Sequence, residues 1–234
     1  MSIWEEKCII SPSLICLDMC NLESQVRILE KSGVTMLHVD ILDGHFSPSM
    51  PLGLDTVRQL RAKTNLAFDC HVMVTEQDYF VDELLDIGVQ QLVFHAETQP
   101  HIDGMLNRIH AKGVRAGVAL KPSTPLSVLE YVLEKCDTVL LMLINPGYAF
   151  VKGEKQTVYA ERKIKDLRKM IGSRIKQRRT ELNLHQKYIA EKTFQQFRLP
   201  VNERSTVYGK KERITSTIIC GRVSYIHSFD RRFT

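Results

Sequence analysis

Short runs of β-branched and apolar residues alternate with amphipathic stretches along the first 174 residues. CIISPSL at 8–14 leads into a helical pattern near 21–32 that stops at Gly33. The cycle returns as TMLHVDI at 35–41 with LDTVRQLRAK, as LAFDCHVMV at 66–74 with DYFVDELLDIG, and as QLVFHA at 91–96 with HIDGMLNRIHAKG. Two further units are RAGVAL at 115–120 with PLSVLEYVLEK, and TVLLMLI at 138–144 with VYAERKIKDLRKMIG. Apolar positions two apart predict strands, and those three and four apart predict helices. Gly33, Gly88, Gly113 and Gly172 stand where helices should stop, and Asp78 and Pro125 near helix starts.

Six βα units in succession imply a parallel sheet covered by helices, doubly wound or closed into a barrel. At this spacing eight units would fill the chain, and a (β/α)8 TIM-type barrel takes about 200–250 residues, so the α/β barrel is the expected fold. After Arg174 the rhythm stops. IKQRRTELNLHQKYIAEKTFQQF at 175–197 reads as one or two basic helices, and only ITSTIIC at 214–220 looks like a strand. The expectation is a barrel over 1–174, incomplete or altered after the sixth unit, and an atypical basic segment over 175–234.

Charge sharpens that division. The net charge of +5 conceals 19 Lys and Arg against 22 Asp and Glu in residues 1–174, a net of −3, and 13 against 5 in residues 175–234, a net of +8. The basic segment could attract nucleic acid or anionic lipid, or be a sequence never shaped to fold with what precedes it. The 44% hydrophobic and 25% charged content is that of an ordinary globular protein, and no apolar run reaches the ~18 residues of a membrane span. Glu5 and Glu6 argue against a secretory signal, which places the chain in the cytoplasm. Six cysteines with no C-x-x-C pair indicate neither a disulfide framework nor a zinc-thiolate site.

Polar residues gather at the predicted strand ends: Ser13 after the first, His38, Asp40 and Asp43 along and after the second, Asp69 and His71 in the third. In a parallel barrel these ends face the active site. Residues two apart on a strand share a face, so His38 and Asp40 point together, and with His71 they could offer two imidazoles and a carboxylate to one divalent ion. A lone strand histidine is ordinarily a hydrogen-bonded core group. On spacing alone a metal site and a polar core stand as equal readings. Met36, Met73 and Met142 read as wall packing, and Asp43-Gly44 as a tight turn.

SPSL at 11–14, HVDILDGHFSPS at 38–49, DCHVMV at 69–74, FHAET at 94–98, KPSTP at 121–125 and LMLINPGY at 141–148 together resemble the signature set of the ribulose-phosphate 3-epimerase family. The resemblance covers residues 8 to about 172. It implies a (β/α)8 barrel that binds a ketose phosphate and one divalent ion (Zn, Fe, Mn or Co) and inverts the carbon beside the carbonyl. The substrate would be D-ribulose 5-phosphate, giving D-xylulose 5-phosphate, or D-allulose 6-phosphate, giving D-fructose 6-phosphate. By motif position His38, Asp40 and His71 would bind metal, and Asp40 would also act as a catalytic base. Ser13, His71, Met142 and Gly147 would meet substrate. Met142, with Met73 and Leu42, would form an apolar wall; Leu42 replaces a methionine common in the family. Gly147 opens the expected phosphate loop, which continues as AFVKGEK where the family has further glycines and a glutamine.

The family's second catalytic carboxylate lies in a Val-Asp-Gly segment at the seventh strand end. Here no Asp-Gly follows Gly104, and between Asp166 and Asp230 the acids are Glu181, Glu191, Glu203 and Glu212 only. A frame shift or rearrangement near Ser173 would account for this, and its expected consequences are weak or lost epimerase activity and a barrel with open sheet edges. The competing reading takes the tail as functional. IGSRIKQRRTELNLHQKYIAEK at 171–192 resembles the opening of Cro-repressor-like helix-turn-helix domains, with Ile171, Ile175, Leu184, Ile189 and Ala190 in apolar register and Gln186 on a second helix. Pro200 falls where the recognition helix should run. Nucleic acid is therefore not the expected partner, membrane is excluded, and a homo-oligomer is compatible with the pattern.

Overall fold

The computed structural model describes residues 4, 8–146, 157–181, 216–219 and 225–228. In chain order the elements are β1 (Cys8–Ser11), α1 (Leu22–Lys31), β2 (Met36–Leu42), α2 (Leu54–Arg61), β3 (Ala67–Met73), α3 (Gln77–Ile87), β4 (Gln91–His95), α4 (Ile102–Ala111), β5 (Arg115–Leu120), β6 (Thr138–Leu141), α5 (Ala160–Glu181), β7 (Ser216–Ile219) and β8 (Tyr225–Ser228). Strands β2 to β6 pair in sequence order and in parallel, each joined to the next by a crossover connection. Every residue of β2 and β3 is buried, so both faces of the sheet are covered.

Alternation along the strands sorts the side chains into two cores. Leu37, Val39 and Ile41 of β2, with Phe68, Cys70 and Val72 of β3, face outward and pack with Val26, Val57, Val81 and Leu84 of the helices. The intervening residues face the barrel interior. Ile9, Met36 and Ala67 fill its floor, while Val93, Ala119, Leu140 and Met142 form a second interior cluster. Gly117 faces this interior, and a Cβ there would stand 2.7 Å from the Thr138 carbonyl oxygen, so β5 and β6 can pair this closely only without a side chain at that point.

Three expectations are corrected. PLSVLEYVLEK is not an α-helix but two 3-10 turns, Leu126–Leu129 and Leu133–Lys135. A 3-10 turn rises about 2.0 Å per residue against 1.5 Å in an α-helix, so it spans the sheet with fewer residues while Leu129 and Leu133 still dock on it. Gly33, Gly88 and Gly113 adopt the positive φ of helix ends, but Gly172 lies inside α5, which continues past Arg174 to Glu181. The Arg, Lys, Gln and Glu that follow are good helix formers, and one glycine costs only about 1 kcal/mol.

The third correction concerns the edges. β7 pairs in parallel with β1, and β8 pairs antiparallel with β6, the two lying against each other. The expected strand near 214–220 is β7, whereas β8 was not legible as a strand. Unpaired N–H and C=O groups at an edge favour any available partner, and the two tail strands take that place. β1 meets β2 through an isolated parallel bridge between Ser13 and His38. The antiparallel β8 marks where the architecture departs from eight parallel βα units. Among the described residues no helix is long and apolar enough to cross a membrane.

Candidate metal centre and active site

β2 and β3 pair in register, with His38 beside Asp69 and Asp40 beside His71. Because these four positions share the interior face, their side chains converge. One ligand atom from each of His38, Asp40 and His71 lies within 4.8 Å of the others, and all three residues are buried. Asp40 Oδ1 is 3.1 Å from His38 Nε2 and 3.3 Å from His71 Nδ1, and Asp40 Oδ2 accepts from Ser13 Oγ at 2.6 Å. The bridge to β2, together with the His38 N–H donated to the Pro12 carbonyl at 2.9 Å, brings Ser13 to this point.

Each imidazole is held from its far side. His38 Nδ1 lies 2.9 Å from Asp69 Oδ2, and Asp69 Oδ1 accepts from Gln91 Nε2 at 2.7 Å. His71 Nε2 lies 2.9 Å from His95 Nε2, and His95 Nδ1 lies 2.8 Å from Glu97 Oε2. Asp69 is among the polar strand-end residues of the sequence, whereas its partnership with His38, and the placement of His95 and Glu97 of FHAET behind His71, come from the structure alone. Phe46, from the loop after β2, covers His95 with ring centroids 4.6 Å apart, and Lys121 Nζ sits 3.9 Å from the Phe46 centroid.

The electrostatics favour positive charge between two buried carboxylates. Burial works against a charged His38, yet Asp40 and Asp69 outweigh it and raise the imidazole to about 10. Burial likewise opposes ionisation of Asp40, but His38 and His71 hold its carboxyl well below the usual range. Burial lowers His71 and pushes His95 down to about 4, so His95 is neutral.

Leu42 and Met73 are register partners and both are buried. Met142 is buried too, in the cluster with Val93, Ala119 and Leu140. Asp43 forms the expected turn, accepting from the backbone N–H groups of His45 at 2.9 Å and Phe46 at 2.8 Å, with Gly44 at φ 75°. Ser47 Oγ donates to the Pro146 carbonyl at 3.0 Å, tying this loop to the segment before the expected phosphate loop. Gly147 itself lies outside the described residues, as do Leu184, Gln186, Ile189, Ala190 and Pro200. α5 is described as far as Glu181, so the second helix of the helix-turn-helix reading lies outside the described residues.

The Ribulose-phosphate 3 epimerase family model matches residues 9–184. The chain is 36% identical over 161 residues to a ribulose-phosphate 3-epimerase of Bacillus subtilis, covering 69% of this chain and 73% of that protein. It is 38% identical over 164 residues to the chloroplastic ribulose-5-phosphate-3-epimerase of Arabidopsis thaliana, covering 69% of this chain and 57% of that protein. A ribulose-phosphate 3-epimerase of Schizosaccharomyces pombe is 40% identical over 141 residues, with 59% and 62% covered. The match takes in strands β2 to β6 and every residue of the buried His-Asp-His group, and the chain belongs to the ribulose-phosphate 3-epimerase family.

Proposed function

We propose that the chain binds one divalent cation through His38, Asp40 and His71, receives a ketose phosphate above them, and uses Asp40 as the base that removes the proton beside the substrate carbonyl. The observation that carries this reading is the convergence of three buried ligand atoms within 4.8 Å. The donor set fits the ion. Two imidazole nitrogens and a carboxylate suit zinc, iron, manganese or cobalt, and the remaining ring nitrogens already have partners. When bound, the cation would stabilise negative charge on the substrate oxygens by several kcal/mol.

The protein's own groups account for the rest. Ser13 orients the Asp40 carboxylate through Oδ2 and, from that position, would meet a sugar hydroxyl. Met142, Met73 and Leu42 supply apolar surface that keeps water from the enediolate. Backbone N–H groups from Gly147 onward would hold the phosphate, in a loop with fewer glycines than the family pattern. Residues 1–174 carry this machinery, and 175–234 form an atypical segment that supplies no Asp-Gly at the seventh strand end. The free thiols of Cys20 and Cys70 fit a reducing compartment such as the cytoplasm.

Inversion needs a base on one face of the carbon and an acid on the other, each contributing about 10²–10⁴-fold. With only the Asp40 side in place, the expected behaviour is proton exchange without inversion at an ordinary rate. The test is proton NMR of D-ribulose 5-phosphate with the metal-loaded chain in D2O. Deuterium should enter at the carbon beside the carbonyl, while D-xylulose 5-phosphate accumulates about 10²–10⁴ times more slowly than the exchange. Absence of exchange overturns the role of Asp40, and epimerisation keeping pace with exchange overturns the loss of the second acid. D-Allulose 6-phosphate in a parallel tube decides between the sugars.

A further inference from the structure

We infer that His95 and Glu97 form a relay that fixes the tautomer of His71 and so holds it in its cation-binding form. The inference rests on the metal-binding reading above and starts from counting hydrogens. Two ring nitrogens 2.9 Å apart, His71 Nε2 and His95 Nε2, must share one hydrogen, because two would repel and none would leave two lone pairs facing each other. His71 Nδ1 is the nitrogen turned toward Asp40 and must keep its lone pair to bind a cation. The hydrogen therefore belongs on His71 Nε2, and His95 Nε2 accepts it.

His95 can accept there only if its own hydrogen sits on Nδ1, and Glu97 Oε2 lies 2.8 Å from that atom to receive it. The opposite arrangement, with hydrogen on His95 Nε2, would face the Glu97 carboxylate with a bare nitrogen and force the His71 hydrogen onto Nδ1, closing the site to a cation. Glu97 is itself anchored. Its Oε1 accepts from the Lys121 backbone N–H at 2.6 Å and from the Thr124 hydroxyl. The same turn is held by Lys163 of α5, whose ammonium donates to the Lys121 carbonyl at 2.7 Å and the Pro122 carbonyl at 2.9 Å.

His95 is wholly buried against Phe46, and both its ring nitrogens are taken by His71 and Glu97. Its place in the site is that of a positioning residue, acting on the cation through His71 as Asp69 acts through His38. The two arms differ in length. Asp69 touches His38 directly, whereas Glu97 reaches His71 across a second imidazole. Removing such outer partners typically weakens metal binding about 10–100-fold.

The test uses the full chain and Co2+, with the apparent Kd taken from chelator competition and the ligand field from the visible absorption of bound Co2+. Wild type is compared with His95→Phe, His95→Gln and Glu97→Gln, each checked for folding by circular dichroism without metal. His95→Phe keeps the ring but loses the acceptor, and should weaken Co2+ about 10–100-fold and alter its spectrum. His95→Gln keeps an acceptor oxygen toward His71 and should recover most of that loss. A folded His95→Phe with wild-type affinity and spectrum overturns the relay and leaves the metal reading standing. Equal losses in His95→Phe and His95→Gln also overturn it, since a role in packing alone would not distinguish them. Should His95→Phe fail to fold, wild-type binding by Glu97→Gln overturns the relay and weakened binding supports it. Wild-type protein that takes up no Co2+ overturns the ligand set and the relay together.

Discussion

Ser13 Oγ donates to Asp40 Oδ2 at 2.6 Å, joining the end of β1 to the interior face of β2 across 27 residues of sequence. This bond gives the second oxygen of a buried carboxylate its partner, leaving Oδ1 to face both histidines. Ser13→Ala removes the donor and leaves that oxygen unsatisfied, at a cost of about 1–3 kcal/mol. Urea denaturation should show the midpoint fall without a change in slope, and an unchanged midpoint would contradict the buried bond.

Asp69 holds the opposite side of His38 and is itself fixed by Gln91. Asp69→Asn keeps the shape but not the charge, and its amide can present an N–H to the ring nitrogen, reversing the direction of the bond. Zn2+ affinity measured by chelator competition should drop about 10–100-fold. Retention of wild-type affinity would mean that His38 needs no fixed tautomer.

Asp43 accepts from the Thr75 backbone N–H and hydroxyl, each at 2.7 Å, and from the N–H groups of His45 and Phe46. Burial opposes its ionisation more than any single bond favours it, but the four bonds together prevail and hold the carboxyl down to about 2. A carboxyl depressed in the folded state binds fewer protons than in the unfolded chain, so its contribution is present above about pH 4 and is lost as pH falls toward 2. Unfolding free energy followed across this window should decline less steeply in Asp43→Asn than in wild type. Parallel declines would show that the turn carries no linkage.

Binding of a cation to the native His38–Asp40–His71 group, with none to the unfolded chain, stabilises by mass action. At a free concentration one hundred times Kd the gain is about 2.7 kcal/mol. Calorimetry should find the transition raised by Zn2+ or Co2+ and lowered again by a chelator, with the response abolished in His71→Ala. A melting temperature indifferent to both additions would remove these residues as a ligand set.

Much of the barrel was legible because strand burial repeats every second residue. TMLHVDI and QLVFHA announced β2 and β4 to within a residue at each end. Local signals misled where length and closure intervened. PLSVLEYVLEK has the apolar spacing of a helix, yet the short return from β5 to β6 draws it out into 3-10 turns. Gly172 has the look of a stop, yet its neighbours carry the helix on to Glu181. β8 carries no strand signal strong enough to read alone, and its place is set by the open edge of β6.

What the sequence by itself determined is the period of two that puts His38 and Asp40 on one face, the repeat of βα units, and the motifs that carry the family. What only the tertiary structure decided is which nitrogen of His71 turns to Asp40, that Asp69 lies behind His38, and that His95 and Glu97 stand behind His71. These partners lie 31 and 24 residues apart, or are neighbours turned inward by a 3-10 turn, and their meeting depends on strand register. Periodicity tells a side chain which face it shares. The distance to a partner on the next strand is fixed only when the backbone hydrogen bonds lock that register in place.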